Sequence, residues 1–154
     1  MKSFAILAFA ALVTSPALTL AQTPAPAGHT IVRSDEVTFE PIEVPGFDSG
    51  MEIAVLYGDL AAETGSYTIR LRFPDGYRFP AHFHPQEENV TVLSGTFLLA
   101  MGAKEDWDAL ESYAPGAFLN IQPEDPHYGG ARGETVIQLH GPAPFQILLV
   151  EPVS

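Results

Sequence analysis

Alternation of apolar and polar positions is sharpest over residues 66–73 (SYTIRLRF), where Tyr67, Ile69, Leu71 and Phe73 share one face and Thr68, Arg70 and Arg72 the other. A period of two marks a half-buried antiparallel strand. Further strands are predicted over residues 51–60, 77–84, 89–94, 96–101, 117–122, 135–140 and 145–150. Gly- and Pro-bearing turns separate them: Ala62-Glu63-Thr64-Gly65, Pro74-Asp75-Gly76, and Ser94-Gly95, which reads as a tight hairpin between two strands. Residues 31–44 alternate only loosely and carry Pro41, with Pro45 just beyond, so they are expected to form an edge strand or arm lying on the rest. Residues 104–112 (KEDWDALES) set Trp107 and Leu110 three apart. That stretch is too short for a stable helix and predicts a turn of helix or an irregular hairpin arm. Many short strands without a long helix predict an all-β single domain, a sandwich or a closed antiparallel β-barrel.

The N-terminus breaks this pattern. Lys2 precedes an apolar run over residues 4–13, followed by Ser15, Pro16 and Thr19-Leu20-Ala21, the order of a secretory signal peptide with cleavage near Ala21. The expected divisions are a signal peptide at 1–21, a Pro/Ala linker at 22–30 and one domain at 31–154. Cleavage leaves 154 − 21 = 133 residues, enough for one domain. No later stretch approaches the roughly 18 uninterrupted apolar residues of a membrane span. The chain has no cysteine, so it is held by its core without a disulfide framework. A periplasmic address is expected, with secretion to the medium as the alternative.

Seven Lys and Arg stand against 19 Asp and Glu, for a net charge of −12. Such a field repels phosphate backbones, which argues against nucleic-acid partners, and draws cations.

Candidate chemistry concentrates in residues 76–95, GYRFPAHFHPQEENVTVLSG. His82 and His84, two apart on extended backbone, leave the same face of a strand. Pro85 begins a corner, after which Glu88 opens the next strand and can turn its carboxylate back toward the imidazoles. Glu87 has the opposite parity and reads as a solvated neighbour. Gln138 and His140 share a parity in VIQLH and are candidates for groups facing a cavity, as is Tyr128, while a strand-end histidine before Gly141-Pro142 fits the outside equally well. The inner wall is expected to draw on Val90, Val92, Phe97 or Leu98, Phe118 or Leu119, and Ile137 or Leu139. Phe79, Phe83, Tyr128 and Phe145 are candidates for a pocket mouth. His29, beside the linker, reads as a solvated residue. No cysteine, GxSxG or serine beside a paired histidine offers a nucleophile, so catalysis would have to come from a metal.

Gly76, His82, His84, Glu88 and Gly95, with five, one, three and six residues between them, resemble the first motif of the cupin superfamily at every fixed position. The resemblance implies a small jelly-roll-like antiparallel β-barrel and a second motif one hairpin later. Its histidine would be His127, eleven residues after Gly116. Within that second motif Pro123 is displaced by one, Glu124 stands at the family's second glycine and Ala131 at its usual asparagine. The implied ligand set is His82, His84, Glu88 and His127. Three imidazoles and one carboxylate suit a divalent transition metal, Mn, Fe, Ni, Co or Zn, and are too nitrogen-rich for calcium or magnesium. An exported protein binding such a metal in a small-molecule pocket is therefore expected, and the resemblance, not the residues, makes oxygenase or isomerase activity one of its candidate uses. The alternative is a non-catalytic module that binds a small molecule or metal. A homodimer is expected by resemblance alone.

Overall fold

A computed structural model describes residues 28–150. The expected signal peptide and residues 22–27 of the linker lie outside the described residues.

Nine strands form one curled, all-antiparallel sheet, with no α-helix among the described residues. They are β1 (Glu40–Pro41), β2 (Glu52–Tyr57), β3 (Ser66–Phe73), β4 (Arg78–Phe83), β5 (Glu88–Met101), β6 (Glu111–Tyr113), β7 (Phe118–Ile121), β8 (His127–Pro142) and β9 (Leu148–Leu149). Short 3-10 turns cover Ser34–Glu36 and Trp107–Ala109, the second inside the stretch expected to hold a turn of helix. In β3 the predicted faces are clear: Tyr67, Ile69, Leu71 and Phe73 are buried, and the residues between them half-buried.

The sheet is organised on β8. One edge of this strand pairs with β3 through Thr135 to Pro142 and with β4 through His127 to Gly130. Its other edge pairs with β5 along nearly the whole length. Gly129 and Gly130 permit this. A Cβ on Gly129 would strike the Leu98 carbonyl of β5, and one on Gly130 the Tyr77 carbonyl beside β4.

The predicted hairpin at Ser94-Gly95 is corrected by β5, one strand of 14 residues that bends there without reversing. Gly95 takes φ +74°, and the pairing with β8 shifts register on both sides of Ser94. The residue is a bulge: an extra position in one strand of a pair kinks it and increases its twist, which curls the sheet. The buried hydroxyl of Thr135 repairs the interrupted ladder, accepting from Thr96 N at 3.1 Å and standing 3.2 Å from the Thr96 carbonyl. The strand expected over residues 145–150 is likewise reduced to Leu148–Leu149, and the one over 135–140 is extended to 16 residues.

Inside the curl, aromatic rings pack at one end. Phe73 lies 5.0 Å from Tyr77 and 6.3 Å from Phe97, which is 6.0 Å from Phe79. Ile53, Ile69, Val90, Val92, Ile137 and Leu139 continue the core. At the other end, three imidazoles take the place of the phenyl rings.

Candidate metal centre

His82 lies near the end of β4 and His84 just beyond it, so strand alternation sends both rings inward while Phe83 between them stays half-exposed. His127 opens β8 directly opposite His82 in the register. Ring centroids are 4.3 Å apart for His82 and His127, 5.1 Å for His82 and His84, and 5.3 Å for His84 and His127. One ring nitrogen from each lies within 4.8 Å of the others. Glu88 opens β5 with its carboxylate 3.4 Å from His84 Nε2 and 3.8 Å from His127 Nε2. All four side chains are buried, while Glu87 is exposed.

The hydrogen bonds of the rings fix which nitrogen faces inward. His82 Nδ1 is 2.9 Å from the Pro80 carbonyl, His84 Nδ1 2.7 Å from that of Gln146, and His127 Nδ1 3.1 Å from that of Asp125. A carbonyl only accepts, so each Nδ1 carries the proton and each Nε2 a lone pair. His84 Nε2 is buried without a hydrogen-bond partner. Imidazole lone pairs that face one another in a buried apolar cavity repel unless a proton, a water or a cation lies among them.

Burial pushes His82 down to about 2, helped by charge on His127 and His84, and pushes His127 down to about 4. Both are neutral near pH 7, the state in which imidazole binds metal. Burial raises Glu88, with charge on His84 acting in the opposite sense. Tyr67 is held above the usual phenol range, first by burial and then by the Glu88 charge.

The cluster forms the polar end of a cavity of about 50 Å³. At about 10–15 Å³ per water position, that is room for a few waters or a very small ligand. Its remaining lining is apolar, including Phe47, Met51, Ile53, Leu71, Phe79, Val90, Phe97, Ile137, Leu139 and Phe145. Of the predicted wall, Val92 is buried outside the cavity and Phe118 is exposed on the outer face. Phe83 does not line the cavity.

Three further candidates lie elsewhere. Gln138 and His140 fall on the outer face of β8, because the inward positions are Ile137 and Leu139; Gln138 accepts from Arg70 Nε, and His140 is exposed. Tyr128 is buried but points away from His127, its hydroxyl bonded to both N and O of Asp106 and its ring 5.6 Å from Trp107. It anchors the loop before β6. Sequence reading missed the wall built by residues 42–47. It also missed the three carbonyls that set the tautomers, although those of Pro80 and Asp125 each lie two residues before their histidine.

The solved structures similar to this one share its fold. The polyketide cyclase RemF of Streptomyces resistomycificus is 20% identical, with 82% of this chain and 88% of that one covered and a TM-score of 0.63. A cupin-2 domain protein from Rhodospirillum rubrum is 15% identical, with 86% of each chain covered and a TM-score of 0.61. The DMSP lyase DddQ of Ruegeria pomeroyi DSS-3 is 17% identical, with 78% of this chain and 64% of that one covered and a TM-score of 0.58. No curated protein matches the chain. The sequence profile of the ChrR cupin-like domain matches residues 27–109, a little over half of the 154 residues, including His82, His84 and Glu88. Motif, curled antiparallel sheet and profile agree, and the chain belongs to the cupin superfamily, in the ChrR cupin-like domain family.

Proposed function

We propose that His82, His84, Glu88 and His127 hold one divalent transition metal, Mn, Fe, Ni, Co or Zn, and that the protein catalyses a reaction of a small oxygen-bearing molecule. The observation that carries this reading is the set of three Nε2 lone pairs and one carboxylate meeting in a buried apolar cavity, with His84 Nε2 unpartnered. The donors fit such an ion: borderline nitrogen ligands in the majority, one hard oxygen, and backbone carbonyls orienting each ring. A bound ion there supplies Lewis acidity or, if redox-active, oxygen chemistry.

The chain's own residues supply the rest. Phe79, Val90, Phe97 and Leu139 exclude water and offer no hydrogen bond, so a ligand must bring its polar atoms to the four-residue cluster and its apolar part to the wall. Compact chelators such as β-diketones and catechols suit this, and polyhydroxylated sugar acids do not. Glu88 is also the one carboxylate in the lining able to carry a proton. We propose the periplasm or the medium for this activity, on the order of residues 1–21 in the sequence.

Binding without catalysis is the second reading. It is favoured by a described lining whose acid and base groups are the four site residues themselves. Protein loaded with Mn, Fe, Co, Ni or Zn and mixed with β-diketones, catechols and sugar acids distinguishes the two. Oxygen uptake or isomerised product with one of the first two classes is expected. Inertness toward all three would leave the binding module.

A further inference from the structure

We infer that residues 42–47 form the movable door of the cavity and that Phe47 is the side chain that sets what passes. This rests on the proposed function for its ligand, but its geometry stands independently. Fifteen of the twenty residues lining the cavity are buried. The five that keep partial exposure are Ile42, Val44 and Phe47 on one segment and Phe145 and Ile147 on another. Partial exposure of the described lining is confined to these two segments, so the way in runs between them.

They are moored differently. The C-terminal segment is bonded at Phe145 N to the Leu60 carbonyl and at Val150 N to that of Ala81, and its Gln146 carbonyl holds the His84 ring. Moving it would release a site histidine. The other segment is fixed at its ends, at Ile42 N on the Met51 carbonyl and at Asp48, whose N and carboxylate bind the backbone of Arg78. Between those posts the backbone makes, among the described residues, only the local bond from Phe47 N to the Val44 carbonyl. Few backbone bonds and partial exposure characterise segments that open at low cost. The Phe47 ring packs 5.0 Å from His82 and 6.0 Å from Phe79, closing the cavity over the cluster. A Cβ on Gly46 beside it would lie 3.1 Å from Leu149 Cδ1 on the fixed segment, so the glycine lets the two segments approach.

The test is the rate at which protein loaded with Co(II) loses the metal to excess 4-(2-pyridylazo)resorcinol, with stoichiometry and melting temperature measured on every variant. Phe47→Ala is expected to speed release about tenfold, as if the barrier fell by about 1.4 kcal/mol. Phe47→Trp should slow it, and Val92→Ala, a core truncation outside the cavity, should leave it within about twofold even though it lowers stability. Equal rates in Phe47→Ala, Phe47→Trp and wild type would overturn the door. So would acceleration by Val92→Ala matching that of Phe47→Ala, since release would then follow general loosening. Failure of the wild type to take up Co(II) at all would overturn the metal reading instead.

Discussion

Each site imidazole is fixed by one backbone carbonyl, and this has a consequence for pH. Without metal, His127 titrates at about 4 and His82 at about 2, against about 6.5 for histidine in an unfolded chain. The unfolded chain therefore holds more protons below about 6.5, and stability falls as the pH drops from there through about 4. Glu88 acts in the opposite sense. Its raised value means the folded state keeps a proton that the unfolded chain gives up, so its burial costs stability as pH rises above the ordinary carboxylate range. Metal-free Glu88→Gln is therefore expected to melt higher than metal-free wild type at pH 8, the gap narrowing toward pH 4.5. A gap that widens on acidification would reverse the assignment. At this scale the first motif was legible, because histidines two apart and a carboxylate four residues on define a geometry by parity alone. The facing of Gln138 and His140 was not legible, because parity gives two faces without saying which is inward. Glu124 shows the limit of a motif match: it stands where the family has glycine and takes the glycine-like φ of +64°.

At the scale of elements, the bulge at Gly95 connects sequence to site, since the bend in β5 lets one strand carry Glu88 at its start and Phe97 and Leu99 in the core beyond. Gly95→Ala would force a side chain at φ +74° and drive a Cβ into the Glu134 carbonyl and Thr135. Urea denaturation should show a loss of at least about 2 kcal/mol, from left-handed backbone and overpacking together. A loss below about 0.5 kcal/mol would mean the bend does not depend on the glycine. The sequence suggested a hairpin here because Ser-Gly between apolar runs is the common signal of reversal. A bulge uses the same residues, and only pairing with a distant strand, here β8 around Thr135, distinguishes them. Strand β3 was readable because its alternation is local; the strand expected over 145–150 shrinks to Leu148 and Leu149, the two residues that pair with Phe83 and His82.

For the whole molecule, the central proposition is that curling one sheet brings donors from β4, β5, β8 and the corner after β4 to a single point, and that the point holds an ion. The net charge of −12 favours the approach of cations without selecting one. The direct measurement is metal content per chain by mass spectrometry after loading and desalting, in wild type, His82→Ala and Glu88→Ala. About one transition-metal ion per chain is expected in the wild type and a sharp loss in both variants, as follows when a ligand is removed from a four-donor site. A wild type that stays empty, or two variants that retain the wild-type amount, would contradict it.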